Sequence, residues 1–178
     1  GDNPFTTNEY IKQLQSMPES KRKAWLEGDW NRFEGQVFTE WSDRTHVVKP
    51  FKIPDDWRRY ISMDWGSNKP FSVGWFAVDY DGHSYLYREL YMNSNQFEAK
   101  FGMPLTARRL SKVITGITSK AGEKYEYVVA DPSMWNKILL GEKTKAIQGE
   151  SYAEIMMKQG LRMIQGDNDR MNGMARYR

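Results

Sequence analysis

Trp57-Arg58-Arg59-Tyr60-Ile61-Ser62-Met63-Asp64-Trp65-Gly66 is a largely apolar run, long enough for one strand, that ends in a lone carboxylate and then a glycine at which the chain can turn. With Ile61 and Met63 packed into a covered sheet, Asp64 falls at the strand's carboxyl end, where a parallel or mixed sheet opens into its ligand crevice. A second stretch has the same form: Tyr125-Glu126-Tyr127-Val128-Val129-Ala130-Asp131, after which Pro132-Ser133 turn away. Two hydrophobic strands that each terminate in Asp can bring both carboxylates to one edge of one sheet. Such a pair suits a hard divalent cation, Mg²⁺ or Mn²⁺, which takes oxygen ligands and needs only one or two protein carboxylates beside substrate phosphate. Either aspartate alone is more often a turn former or a helix N-cap; it is their pairing that points to chemistry.

Composition narrows the alternatives. A chain of 178 residues suits one domain with an appended arm and is large enough to bury a core. It has no cysteine, so neither a disulfide framework nor a thiolate metal site is possible. His46 and His83 stand far apart in sequence, which argues against a histidine-based zinc site and leaves carboxylates as the available ligands. No apolar run approaches the roughly 20 residues of a membrane span, and the N-terminus lacks a signal-peptide core, so a soluble protein of a reducing compartment is expected. A net charge of +3 permits a nucleic-acid partner without demanding one. The many tryptophans and tyrosines are more simply core than base-stacking platforms.

Residues 1–50 read as an N-terminal helical arm. Thr6-Thr7-Asn8-Glu9 offers a capping box, and Tyr10, Ile11, Leu14 and Met17 then share a helical face until Pro18. A second short helix is expected over residues 19–27, with Gly28 as its stop, and a short extended arm over residues 33–38. Pro50 and Pro54 mark the boundary before the first core strand, so that residues 51–178 form the main domain.

Within that domain the order of elements is informative. After the Asp64 strand and a polar loop, residues 71–79 predict a second strand; Asp81-Gly82 is a strong hairpin signal, and residues 84–92 run back as a third. Leu110, Val113, Ile114, Ile117 and Ala121 repeat at helical spacing with Arg108, Arg109 and Lys112 on the other side, and Gly122 closes the helix. The Asp131 strand follows that helix, so its pairing with the first strand is a parallel crossover. Residues 141–145 predict a mobile loop. Their Gly-Glu-Lys-Thr only superficially resembles a phosphate-binding loop, which needs an earlier glycine and a Gly-Lys-Ser/Thr directly before a helix. Ser151-Tyr152-Ala153-Glu154 is a capping box for a helix ended by Gly160, residues 161–164 make a fifth strand, and Asp169 caps a last helix.

Three antiparallel strands, a helix, a parallel strand, a helix, a fifth strand and a helix is the order of the ribonuclease H-like α/β fold, a mixed five-stranded sheet flanked by helices. More specifically, Asp29-Trp30 with Phe33-Glu34-Gly35-Gln36, the Asp64-Trp65-Gly66 strand end, Asp81-Gly82 with Tyr87-Arg88-Glu89, and Ala130-Asp131-Pro132-Ser133 resemble the nuclease half of the large terminase subunit of tailed bacteriophages. The resemblance rests on the order and spacing of these motifs across nearly the whole chain. It implies an endonuclease that cuts concatemeric double-stranded viral DNA during genome packaging, in the cytoplasm of the infected bacterial host. Its partners would be double-stranded DNA, an ATPase domain of the same polypeptide preceding residues 1–50, the portal and the small terminase subunit. By this similarity Asp64 and Asp131 match the first two metal-binding acids, with two Mg²⁺ or Mn²⁺ ions in the complete site; the family's third acid falls past Arg178, making the domain C-terminally truncated.

Two-metal hydrolysis explains why several acids are wanted, one ion activating the attacking water and the other stabilising the leaving oxygen. Asp167 and Asp169 read as turn-forming and capping residues, and Glu89 either as an outer group of the site or as a cross-strand partner. Lys69, Lys137, Lys143 and Lys145 are the cations best placed to meet a DNA backbone, although each alone reads as a solvated surface residue. Two other readings stay open: a junction resolvase or transposase of the same fold, and a non-catalytic DNA-docking module that would tolerate loss of the carboxylates.

Overall fold

The computed structural model describes residue 16, residues 41–66, 69–140 and 147–169, and residue 173. The chain divides into two compact units, Gly1–Phe51 and Lys52–Arg178. In the first, a short helix α1 (Asp43–His46) lies beside Trp41, whose ring stacks on His46 with centroids 4.8 Å apart. The helices expected over residues 6–17 and 19–27 and the extended arm over residues 33–38 lie outside the described residues.

The second unit is built on a five-stranded sheet. Strand β1 (Arg58–Asp64) alternates as its sequence requires: Arg59, Ile61 and Met63 point into the core, Ser62 and Asp64 away from it. It pairs antiparallel with β2 (Phe71–Val78), which pairs antiparallel with β3 (Ser84–Met92). The turn between them uses Gly82 at φ +88°, the left-handed conformation that makes Asp-Gly a hairpin signal. Two helices follow where the periodicity predicted one. Helix α2 (Ser94–Phe101) is closed by a capping box between Asn93 and Gln96 and buries only Phe97, too weak an apolar stripe to register as a helix. Helix α3 (Ala107–Lys120), capped by Thr106, buries Leu110, Val113 and Ile114 as its spacing demands.

That crossover returns the chain to β4 (Val128–Ala130), parallel to β1 with Ile61 opposite Val128 and Met63 opposite Ala130. A turn of 3-10 helix (Pro132–Trp135) leads to β5 (Lys137–Leu140), which pairs antiparallel with β6 (Ile147–Ser151). The loop expected over residues 141–145 lies outside the described residues; the two short strands on either side of it were not anticipated. Helix α4 (Tyr152–Met157) starts at the anticipated capping box, Ser151 with Glu154. Strand β7 (Met163–Gln165) completes the sheet parallel to β4, in the order β3-β2-β1-β4-β7. Most of the helix expected after Asp169 falls outside the described residues, where only the Gly173 amide is seen, donating to the Asp169 carbonyl at 2.9 Å.

The core fills one face of this sheet: Ile61, Met63, Phe71, Val73, Trp75, Leu90, Val128 and Met163 from the strands meet Phe97, Leu110, Ile114 and Met156 from the helices. Several of its polar groups are paired. The Trp75 indole N–H donates to Thr118 Oγ1 at 3.2 Å, and the Ser111 and Thr118 hydroxyls donate to carbonyls one turn back. Arg59, only 8 % exposed, is held mainly by backbone: its guanidinium donates to the carbonyls of Pro54 at 2.8 Å, Asp55 at 3.1 Å and Trp57 at 3.2 Å, with the exposed Asp55 carboxylate 4.0 Å away. It thereby fastens the entry segment to the first strand. Among the described residues no helix is long and apolar enough to cross a membrane.

Candidate metal-binding edge

Three parallel strands, β1, β4 and β7, end side by side, and the first two end in acids. Because Met63 stands opposite Ala130, the next positions along, Asp64 and Asp131, are neighbours at the sheet edge, on strands that lie about 4.8 Å apart. Alternation turns Asp64 away from the face that carries Met63, and Asp131 leaves β4 as the N-cap of the 3-10 turn. Asp64 is exposed and its carboxylate makes no hydrogen bond to a described residue. Gly66 makes the sharp exit from β1 possible: a Cβ there would stand 2.1 Å from the Lys69 carbonyl oxygen and 2.6 Å from that of Pro70, so only glycine fits inside the loop.

Asp131 is half-buried and also caps the 3-10 turn, its Oδ1 accepting the Ser133 amide at 2.8 Å. The Ser133 hydroxyl, the Ser133 amide and, to a lesser degree, the Asn168 side chain hold its carboxyl below the usual carboxylate range, against a smaller opposing effect of burial. The capping role and a ligand role therefore meet in one residue. The segment after β7 crosses the same edge: the Gly166 amide donates to the Ala130 carbonyl at 2.8 Å, and Asp167 Oδ1 accepts the Asp169 amide at 2.9 Å, a turn-forming use.

The remaining expected residues are dispersed. Glu89 is exposed and lies opposite Gly74, which lies opposite Ser62, so it shares the face of Asp64 from two strands away. Lys69 is exposed on the loop that leaves Asp64. Lys137 forms an ion pair with Glu154, which ties the β5–β6 hairpin to α4; that contact, with the Ser151 cap, lowers the Glu154 carboxyl to about 2. Lys143 and Lys145 lie outside the described residues.

Sequence reasoning passed over one cluster of ligand types. Asp79, Asp81 and His83 bring donor atoms within 4.8 Å of one another, the one such group of three among the described residues. Val78 pairs with Arg58, so this cluster sits at the opposite end of the sheet from Asp64. The Asp79 carboxylate is occupied within the hairpin turn, accepting the amides of Asp81 at 3.0 Å and His83 at 2.8 Å and contacting the His83 ring and the Tyr85 hydroxyl. Burial works to raise its pKa, but these bonds outweigh it and lower the value.

A mixed sheet of three antiparallel and two parallel strands, flanked by helices, has the ribonuclease H-like fold. Solved structures of similar fold include phage large terminases. The large terminase of a thermophilic bacteriophage, in complex with ADP, superposes with a TM-score of 0.57 at 19% identity, over 94% of this chain and 37% of that one. A second crystal form of the same terminase gives 0.58 at 17% identity, again over 94% of this chain and 37% of that one. The nuclease domain of the P22 large terminase gives 0.54 at 19% identity, over 80% of this chain and 66% of that one. This chain thus spans little more than a third of the thermophilic phage's terminase. No protein-family model matches the sequence, and no curated protein sequence does.

Proposed function

We propose that this chain is the nuclease part of a phage large terminase, a metal-dependent endonuclease that cuts concatemeric double-stranded DNA during genome packaging. The single observation that carries the reading is the register of β1 and β4, which makes Asp64 and Asp131 neighbours at the carboxyl edge of a sheet with this fold. Their chemistry fits Mg²⁺ or Mn²⁺: two carboxylates, one of them without a protein partner among the described residues, in a chain with no cysteine to favour a softer ion.

On this reading Asp64 and Asp131 would hold the divalent ions, which when bound would lower the pKa of the attacking water and stabilise the leaving 3′-oxygen. The protein supplies orientation. Ser133 and Asn168 fix the Asp131 carboxylate and keep it ionised, and the tight loop at Gly66 fixes the direction in which Asp64 leaves its strand. Lys69, and Lys143 and Lys145 beyond β5, meet backbone phosphate, which would make binding salt-dependent and largely indifferent to sequence. Residues 1–50 are the connection to an ATPase domain of the same polypeptide, and the portal and small terminase subunit are the protein partners.

The test pairs cleavage with ion binding. The protein should nick supercoiled plasmid in Mn²⁺, Asp64→Asn should reduce nicking to background, and titration calorimetry should show weakened Mn²⁺ binding in the same variant. An Asp64→Asn protein that cuts at the wild-type rate overturns the assignment.

A further inference from the structure

A cavity of about 690 Å³ opens on the helix side of the acidic edge, lined by Trp65, Ser94, Arg108, Arg109, Glu150 and Tyr152 among others. We propose that it holds one nucleotide unit of the DNA strand as that strand runs on from the cleavage site, its phosphate at Arg108 and Arg109 and its base or sugar against Trp65 and Tyr152. The proposal rests on the nuclease reading above and extends it to a subsite.

Position is the first argument. Trp65 follows Asp64 directly, so the cavity wall begins one residue, about 3.8 Å of chain, from the acid. Helix α3 descends from the same end of the sheet because it is the crossover between β3 and β4, which brings its first turn, with both arginines, to the carboxyl edge. A strand lying over Asp64 and Asp131 therefore passes this cavity within a nucleotide or two.

The lining is the second. Arg108 is exposed and forms no ion pair or hydrogen bond with a described residue. Arg109 is half-buried and its Nη1 donates to the Pro104 carbonyl at 3.1 Å, which holds its guanidinium in place. The Thr106 hydroxyl already accepts the Arg109 amide at 3.2 Å, so the positive character of this wall comes from side chains and not from the helix end. Two guanidinium groups lining one cavity suit a phosphodiester, which each can meet with paired N–H donors. The lining carboxylate, Glu150, is in an ion pair with Lys158 and so presents little net charge to an anion.

Aromatic surface is the third. The rings of Trp65 and Tyr152 lie with centroids 4.9 Å apart, tilted by 36°, and both pack against the core, so they form a fixed wall. The Trp65 indole nitrogen is buried with no hydrogen-bond partner. A base or sugar placed against such a wall gains contact at every sequence, since all four bases present the same kind of flat face. The volume lies within the range of small-ligand sites and accommodates one nucleotide with water.

The test uses a fluorescein-labelled duplex of about 30 base pairs in EDTA, where nothing is cleaved. For the wild type, log K should fall linearly with log[salt]; Arg108→Ala should weaken binding about tenfold at low salt and reduce that slope by about 0.9, one phosphate contact. In cleavage assays with Mn²⁺ the same variant should raise KM with kcat little changed, which a merely structural lesion would not do. Lys120→Ala, at the far end of α3, serves as the control with unchanged slope. If wild type binds the duplex but Arg108→Ala keeps the same slope and affinity, the subsite is overturned while the nuclease reading stands. If the wild type fails to bind duplex at all, both fall. Free dAMP binding as tightly as the duplex also overturns the proposal, because the cavity would then serve a small molecule and not a strand.

Discussion

Asp131 has two roles, and they can be separated by substitution. Its carboxylate caps the 3-10 turn through the Ser133 amide, and on the proposed function it also holds a divalent ion. Replacing it with alanine removes the cap, which costs about 1 kcal/mol, and in a chain of this size lowers Tm by about 2–4 °C. Asparagine keeps an oxygen at the position that accepts the Ser133 amide, so Asp131→Asn should cost only a few tenths of a kcal/mol. The ion adds its own stabilisation by mass action: Mn²⁺ at ten times its Kd contributes about 1.4 kcal/mol, or about 3–6 °C. Thermal melts with and without Mn²⁺ then give distinct patterns. Wild type should show the shift; Asp131→Asn should melt near the wild-type apo temperature and lose most of the shift; Asp131→Ala should show both a lower apo Tm and no shift. The lowered Asp131 pKa adds a pH signature. Its folded value is depressed, so the stabilisation is complete above the unfolded value and is lost as pH falls through the folded one. An Asp131→Asn protein that keeps the full Mn²⁺ shift refutes the ligand role and leaves only the cap.

Further outcomes follow from other contacts. Gly66→Ala, whose Cβ would sit 2.1 Å from a backbone oxygen, should destabilise by about 1–3 kcal/mol and depress Mn²⁺ affinity, read by melts and calorimetry. Glu123→Gln breaks a two-bond ion pair to Arg88, with contacts of 2.7 and 3.0 Å, and should cost about 1–2 kcal/mol given the partial exposure of Arg88. The same change should lower the Tyr87 hydroxyl from its value of about 12, which burial raises first and Glu123 second, as followed by ultraviolet titration. Glu154, lowered from 4.5 to about 2 chiefly by Lys137, contributes stability that is complete above about 4.5 and lost as pH falls toward 2; Lys137→Ala should move the acid-unfolding midpoint upward.

The frame of this domain was legible because its signals are local and strong. Alternation in residues 58–64 and 71–78, the Asp-Gly turn and the 3.6-residue stripe of α3 specify three antiparallel strands and a crossover before any long-range contact is known. The two acids stood out because each closes an apolar strand, and the parallel register then made them neighbours. What was missed depends on tertiary context. Helix α2 buries a single residue, and the β5 strand is four residues long and pairs across residues whose polarity reads as loop. The burial of Arg59 has no local signal, since it depends on carbonyls that the preceding proline and turn present to it. Arg108 and Arg109 read as the solvent side of α3, which they are; that this side borders a cavity one residue from Asp64 depends on how α4 and β6 pack beside it.

The most direct measurement is anomalous diffraction from crystals grown in Mn²⁺. A peak in contact with the carboxylates of both Asp64 and Asp131 is the expected result. A peak confined to Asp79, Asp81 and His83, with no density at the Asp64 edge, would contradict the assignment.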